Sequence, residues 1–179
     1  MKKISTIFVL LAGLFTVVPC VAGGTQNLIQ VIGLSPGVST RAAFMAAGPR
    51  IDDDFVYLEI GGYKLPCSGA FVDGLLSQII CLTGKKYTSG SNYEIHDTLL
   101  KGFTTKFGAP SSTDNTPTRN RLGVSYPRSE IWWNDRQGNA LILYSVQGKV
   151  DEGSMILLSA SEVRAMKEEI AKKDAERKF

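Results

Sequence analysis

The chain has 179 residues, of which 44% are hydrophobic and 21% charged, with 20 Lys and Arg against 17 Asp and Glu. This mixture is typical of a folded globular protein and excludes a collagen-like, coiled-coil or wholly disordered chain. The length suffices for one domain of ordinary size or two very small ones, with a core that does not depend on many disulfides.

The N-terminal residues have the pattern of a secretory signal. Lys2 and Lys3 supply positive charge, residues 4–18 are apolar, and small residues follow. The apolar run is shorter than the roughly 20 residues that a membrane-spanning helix needs. We therefore expect residues 1–22 to be cleaved, leaving a periplasmic or secreted chain with no transmembrane segment. Lipid anchoring is not expected, because the Leu-small-small pattern is missing before Cys20.

Cleavage would leave a nearly neutral chain, with 18 basic against 17 acidic side chains and a formal charge of +1. Three arginines lie close together in the sequence, at positions 119, 121 and 128, but they are too sparse for the basic patch that nucleic acid requires. A nucleic-acid partner is therefore not expected.

The first half of the mature chain predicts a short helix followed by a three-stranded meander. A β-prone stretch, Thr25–Gly33, comes first, and Ser39 is a plausible N-cap for a helix that ends near Gly48. The tight-turn pairs Gly61-Gly62 and Asp73-Gly74 separate the strands. The predicted strands are 55–60, 65–72 and 75–82.

Two cysteines remain after cleavage, and their spacing predicts a disulfide. A three-residue hairpin loop at Asp73–Leu75 would place Cys67 opposite Cys81, and an even cysteine count in an exported protein favours pairing. A zinc site is the alternative, but the single histidine, His96, lies outside this hairpin and the ligands are too few. No metal or cofactor is therefore expected.

The second half repeats the plan of the first. Tyr93–Phe107 has helical spacing of apolar residues and ends at Gly108, and a polar linker, Ser111–Arg121, follows. Three further strands are predicted at 129–133, 140–146 and 154–159. The intermixed charges of residues 162–179 predict a solvent-exposed terminal helix.

These elements predict an α+β fold with two approximate helix-plus-three-strand antiparallel meander units and a C-terminal charged helix. We expect one domain over residues 23–160, divisible into repeats at 34–84 and 91–160, followed by the helix at 161–179. The repeat would align residues 55–58 with residues 130–133.

Two short segments resemble small bacterial envelope proteins of the SmpA/OmlA-like type. The segment Ile32–Gly37, followed by a helix and Gly48-Pro49, resembles the helix start and stop of that family, and Lys106–Pro110 resembles a second stop. The resemblance implies a helical part packed on a three-stranded meander, in a non-catalytic protein that works through protein contacts. The family is usually lipid-anchored, whereas this sequence lacks a lipidation pattern.

A separate segment is similar to the Ser-Gly-x-x-Tyr motif of bacterial periplasmic lysozyme inhibitors. Here it is carried by Ser89, Gly90 and Tyr93. The resemblance implies that this loop hydrogen-bonds the paired carboxyl groups in a lysozyme cleft. Ser-Gly-Ser-Asn is also an ordinary loop and helix-cap composition, so both interpretations stay open.

Catalytic residues are not expected. His96 is predicted on the polar side of a helix, without the nucleophile motif of a hydrolytic triad. Asp52, Asp53 and Asp54 lack the glycine and distal glutamate of a calcium loop and favour a solvated turn. A small enzyme that uses these carboxylates remains an alternative to a binding protein.

Trp132 and Trp133 are adjacent on a predicted strand, so their side chains should lie on opposite faces of the sheet. One should enter the core. The other is a candidate contact for a partner protein, or packs beneath the C-terminal helix or the linker. The sequence thus predicts an exported protein that binds another protein, or, more specifically, an inhibitor or immunity protein against a lysozyme-like hydrolase.

Overall fold

A computed structural model describes residues 33–84, 92–148 and 152–176, apart from the side chains of Asn92 and Asp174. The helices are α1 (Arg41–Ala46), α2 (Asn92–Phe107) and α3 (Ala160–Glu176). The strands are β1 (Phe55–Ile60), β2 (Tyr63–Val72), β3 (Leu75–Leu82), β4 (Ser112–Asp114), β5 (Thr118–Arg119), β6 (Ser125–Tyr126), β7 (Arg128–Asn134), β8 (Ala140–Val146) and β9 (Gly153–Leu158). Most of the strand predicted at Thr25–Gly33 lies outside the described residues.

Seven of the strands form one antiparallel sheet in the order β1-β2-β3-β9-β8-β7-β4, and β5 and β6 form a separate hairpin. The sheet consists of two meanders, β1–β3 and β7–β9, joined by antiparallel pairing of their last strands. A helix precedes each meander and α3 follows the second. The predicted α+β class, with two helix-plus-meander units and a C-terminal helix, is therefore confirmed.

The helices cover the two faces of this sheet unequally. On the first face, alternate residues of the long strands form one large core with α1 and α2, whose members include Phe44, Leu99 and Trp133. On the second face, Val163 and Met166 of α3 pack in a smaller cluster with residues of β7, β8 and β9. The sheet is thus a central layer with two helices on one side and one helix on the other.

The first strands of the two meanders share the same phase of burial. The alignment of residues 55–58 with 130–133 places Val56 on Ile131 and Leu58 on Trp133, and all four side chains are buried. The turns that follow differ, because two residues separate β1 from β2, whereas residues 135–139 separate β7 from β8. The similarity of the two units therefore lies in pattern and topology more than in register.

The segment predicted as a polar linker, Ser111–Arg121, contains two short strands that the sequence did not predict. Its residues 112–114 form β4, which pairs with the outer edge of β7 through Ser112 opposite Trp132 and Thr113 opposite Ile131. All three β4 residues are exposed. An edge strand with exposed side chains has no alternation of apolar and polar residues, so its composition resembles that of a loop.

The ends of the helices follow local capping rules. The N-cap of α1 is Thr40 and not the predicted Ser39, because the Thr40 hydroxyl accepts from the Ala43 N–H. Ser39 instead accepts from the Ser35 N–H at 2.9 Å. In the C-terminal part of the chain, α3 begins at Ala160, one residue before the predicted start at 161, and the Ala160 N–H donates to the Asn139 side chain at 3.0 Å.

The cysteine hairpin is one residue tighter than predicted. Its turn contains only Asp73 and Gly74, both with positive φ (52° and 79°), as a type I′ hairpin turn requires. A two-residue turn alone would leave Cys67 and Cys81 out of register. The β-bulge between Ala70 and Phe71 restores it, because it adds one residue on β3, so that Cys67 lies opposite Cys81.

The two cysteines form the predicted disulfide, and both are fully buried in the larger core. We expect reduction to lower the free energy of unfolding by about 3 kcal/mol, because the bond closes a loop of about fifteen residues in the unfolded chain. Denaturant unfolding with and without reductant measures the difference. Equal midpoints in both conditions, with two thiols titrating in the folded protein, would contradict the prediction.

The exposed edge of β1 is partly covered by the segment that precedes it. The Tyr57 N–H donates to the Pro49 carbonyl at 2.8 Å, and the Ile51 N–H donates to the Phe55 carbonyl at 2.9 Å. Gly48 enables this approach, because a Cβ at this position would lie 1.9 Å from the Tyr57 carbonyl oxygen. Such coverage reduces edge-to-edge pairing with other chains.

Substitution Gly48→Ala should therefore displace the covering segment and lower the free energy of unfolding by about 1–3 kcal/mol, as overpacking does elsewhere. Urea unfolding checks the value. Gly102→Ala is the matched control, because nothing lies within 4 Å of a Cβ built at Gly102. If Gly48→Ala were as stable as the control, the close approach would not constrain this edge.

Candidate functional site

A cavity of about 440 Å³ lies between the first turn of α2 and the strands β7 and β8. Its walls combine polar side chains with one aromatic ring and one proline. The lining residues are Tyr93, His96, Asp97, Asn115, Pro127, Arg128, Ser129, Ser145 and Gln147.

His96 is a lining residue of this cavity and is almost wholly buried. The residue is only 7% exposed, so the prediction of a surface histidine is wrong. The reason is the width of the buried stripe of α2, which contains Ile95 and Leu99 and extends to the neighbouring position 96. Its Nδ1 lies 3.5 Å from Asp97 Oδ1, while its Nε2 is buried and has no hydrogen-bond partner among the described residues.

Burial lowers the pKa of His96 below its ordinary value of 6.5, and the neighbouring Asp97 only partly offsets this effect. The imidazole is therefore neutral at pH 7. A proton on Nδ1, facing Asp97, leaves Nε2 as a buried hydrogen-bond acceptor.

Arg128 forms a second part of the wall and is held by carboxylates. It pairs with Asp114 of β4, and Glu130 Oε2 lies 3.6 Å from the same guanidinium. Hydrogen bonds from Thr116, together with Arg128, lower the pKa of the Asp114 carboxyl. The Arg128 Nε is buried and has no hydrogen-bond partner among the described residues.

Tyr93 stands at the rim of the cavity. Its residue is 40% exposed, and its hydroxyl accepts a hydrogen bond from the Gly148 N–H. The other two residues of the inhibitor-like segment, Ser89 and Gly90, lie outside the described residues. The role of this segment as a partner contact stays a prediction.

The tryptophan pair lies on opposite faces of the sheet, as the alternation of a strand requires. Trp133 is buried in the larger core, stacks edge-on against Phe103 at 5.7 Å and donates to the Gly108 carbonyl at 3.2 Å. Trp132 is half-buried beside the smaller cluster beneath α3 and donates to Glu130 Oε1 at 2.8 Å. Its role as a partner contact stays a prediction.

The acidic turn is built from local hydrogen bonds. Asp52 Oδ1 accepts from the N–H groups of Asp54 and Phe55, and Arg41 binds the Asp54 carboxylate at 2.9 Å. These contacts give two of the three carboxylates a structural role at the start of β1.

Within the described part of the chain, no group of three His, Cys, Asp or Glu side chains is placed to hold a metal ion. The helices of that part also include none long and apolar enough to cross a membrane. The Cys67–Cys81 bond is consistent with folding in an oxidising compartment.

The sequence pattern does not predict that the cavity residues come together. It offers Arg128 only as one of three sparse arginines, although Arg128 and Glu130 lie two residues apart on one strand and so share a side. The partner Asp114 could not be found, because β4 itself was interpreted as a linker. A charged pair at i and i+2 in a strand was the available signal.

No family model, no curated protein and no solved structure matches this chain. The resemblances to SmpA/OmlA-like proteins and to lysozyme inhibitors therefore stay predictions.

The lowered pKa of His96 predicts a loss of stability in mild acid. The unfolded chain takes up a proton near pH 6.5 and the folded chain only at lower pH, so the free energy of unfolding should fall as the pH drops through 6.5 towards the folded-state pKa. Urea unfolding between pH 7.5 and 5 measures the slope, with His96→Gln as comparison.

The His96→Gln variant should show little slope in this window, because the sequence contains no other histidine. The carboxyl of Asp114, whose pKa is also lowered, loses its stabilising charge only at a more acidic pH, below its ordinary 3.8. Equal slopes in the variant and the parent protein would contradict the assignment.

Proposed function

We propose that this protein is exported and acts by binding another protein in the bacterial envelope. The observation that supports the proposal is an apolar surface on the second face of the sheet, on the meander that α3 leaves uncovered. This surface, called the open face below, consists of Phe55, Tyr57, Ile80 and Leu82.

The register of the sheet places these residues side by side. Tyr57 lies opposite Pro66, and Phe55 and Ile80 both lie opposite Ser68 from the two neighbouring strands. All four side chains of the open face are half-buried, whereas Pro66 between them is buried, and none of the four belongs to the two core clusters of the described residues. They are therefore apolar side chains without a described helix packed on them.

Polar residues surround the open face. Glu59 lies opposite Lys64 at one end of β1, and Gln78 lies on the same side of β3 as Ile80. An apolar centre with a polar rim is the usual anatomy of a protein interface. Large apolar patches on a folded protein commonly mark such contacts.

The rest of the second face is already occupied. Ile80 continues across the sheet through Ile156 and Ile142 to Trp132, and the last three residues of this row contact the α3 cluster. A partner on the open face would therefore lie beside α3. An envelope assembly partner and a cell-wall hydrolase could each bind an apolar surface of this kind. The experiment must therefore be able to detect either partner.

Site-specific photocrosslinking tests the surface directly. A photoreactive phenylalanine analogue at position 57 should crosslink a discrete partner in envelope extract, whereas the same analogue at Leu122, which is 88% exposed on the β5–β6 hairpin, should not. The crosslinked protein is then purified and its affinity for the mature chain is measured.

Against this purified partner, Ile80→Glu and Tyr57→Ser should each weaken binding by about tenfold or more, because truncation of a buried interface anchor costs roughly 1.4 kcal/mol or more. Leu122→Glu is the matched control and should bind as the parent does. Unchanged affinity in both open-face variants, with folding verified by circular dichroism, would refute the proposed surface.

A further inference from the structure

We propose that the β5–β6 hairpin binds an anionic lipid surface, with Leu122 in the outer part of the acyl layer and Arg119 and Arg121 at the headgroups. The proposal concerns a second surface and does not rest on a partner at the open face. The hairpin connects β4 to β7, at the edge of the sheet opposite to β1, so the two contacts do not use the same strands.

The tip of the hairpin is a three-residue loop with a fixed backbone. The Asn120 N–H donates to the Val124 carbonyl and the Gly123 N–H donates to the Asn120 carbonyl, both at 3.0 Å. Gly123 has a positive φ of 79°, as the last residue of such a hairpin loop requires. The Asn120 side-chain oxygen also accepts from the N–H groups of Leu122 and Val124, at 3.0 Å and 2.9 Å. The tip therefore has little backbone freedom to lose when it makes a contact.

The apolar side chains of this tip are exposed to solvent. Leu122 is 88% exposed and Val124 is 49% exposed. The strands β5 and β6 pair with each other, apart from the main sheet, and none of residues 111–127 is buried. An exposed leucine alone is common on protein surfaces. The place of Leu122, at the end of a fixed projecting loop and beside two arginines, is the feature that indicates a ligand.

Two arginines give the tip a positive charge. Arg119 lies opposite Ser125 on the hairpin, and Arg121 directly precedes Leu122. Both arginines are exposed, and neither pairs with a carboxylate among the described residues. Residues 115–129 contain no Asp or Glu. The tip therefore attracts anionic groups.

The surroundings of the hairpin do not reverse this charge. The two carboxylates that border it in the sequence, Asp114 and Glu130, lie at its base beside Arg128. The internal segments outside the described residues, 85–91 and 149–151, contain three lysines against one aspartate, so they add no excess of negative charge.

The combination of an apolar tip and flanking arginines favours a lipid surface over other anionic partners. Nucleic acid is bound through many more cations, and an apolar tip adds nothing to phosphate contacts. A protein interface of standard size involves about 20–30 residues on each side, whereas the neighbouring strand β4 has only exposed polar side chains. At a bilayer, arginine stems lie along the apolar boundary while their guanidinium groups bind the anionic headgroups.

Vesicle flotation of the mature chain tests the proposal. The chain should float with equimolar phosphatidylglycerol and phosphatidylcholine vesicles at low salt. Half of it should be bound at about 1 mM accessible lipid, because two arginines and one leucine supply less than one acyl chain does. Binding to pure phosphatidylcholine should be at least about tenfold weaker, and about 0.5 M salt should reduce binding to the anionic vesicles by screening.

Arginine variants locate the headgroup contact. Arg119→Gln combined with Arg121→Gln should weaken binding to the anionic vesicles by about tenfold or more, since each arginine near such a surface contributes roughly a fivefold change. Arg136→Gln combined with Arg164→Gln is the matched control, because these exposed arginines lie elsewhere and their loss changes the net charge equally. The control pair should bind as the parent does.

Two changes at the tip test the apolar contact. Leu122→Ser should weaken vesicle binding by about fivefold, whereas Val38→Ser, at a residue that is 68% exposed elsewhere, should not. Because Cys67 and Cys81 are bonded and buried, Leu122→Cys supplies a single reactive thiol for an environment-sensitive fluorophore. Its emission should shift to the blue with anionic vesicles, while the same label in Thr104→Cys, at an exposed position of α2, should not respond.

Several results would overturn the proposal. These are the absence of flotation with anionic vesicles, equal flotation with pure phosphatidylcholine, equal losses in the two arginine pairs, and an unchanged spectrum of the label at position 122. Tighter binding of a single-stranded DNA oligonucleotide than of the vesicles would assign the arginines to nucleic acid instead. A blue shift that follows protein concentration without vesicles would place a second copy of the chain on the tip. None of these results depends on the photocrosslinking at the open face, so each proposal can fail alone.

Discussion

The antiparallel pairing of β3 with β9 is the contact on which the rest of the structure depends. Five residue pairs, from Gln78 opposite Leu158 to Leu82 opposite Ser154, join the two meanders into one sheet. A three-stranded meander on its own has limited capacity to bury an apolar face. The junction instead gives both halves one continuous core, in which α1 packs on the first meander and α2 on the second.

The same junction explains why the sheet has a covered and an uncovered half on its second face. The chain leaves β9 at Leu158 and turns at once into α3, because the Ser159 N–H donates to the Ser77 carbonyl at 2.8 Å. This contact places the start of α3 over β9 and its neighbours. From Lys167 onwards the described α3 side chains are exposed, and Ile170 is 52% exposed. This part of α3 therefore does not pack on the sheet.

Much of the fold could be predicted from the sequence, because its signals are local. Asp73-Gly74 dictates a tight hairpin turn, Gly108 takes the positive φ that ends α2, and alternation along β7 separates Trp132 from Trp133. The disulfide followed from the same reasoning. The β-bulge that sets its register has no comparable local signal. The extra residue of the bulge makes up for the difference between the predicted three-residue loop and the observed two-residue turn, so the predicted pairing of the cysteines still holds.

The candidate site could not be predicted, because its members come together only through non-local pairing. His96 faces the cavity because α2 packs on β8, and Arg128 meets Asp114 only because β4 pairs with β7. In the sequence, His96 is an ordinary helix position, and Arg128 and Asp114 are ordinary surface charges. Their burial is a property of the assembled sheet.

Native-state amide hydrogen exchange tests the central claim, that the β3–β9 junction makes the two meanders one cooperative unit. The account predicts that the hydrogen-bonded amides of β2, β3, β8 and β9 exchange with one common free energy, equal to that of global unfolding. Separate opening of β1–β3 and β7–β9, at two different free energies below the global value, would contradict it.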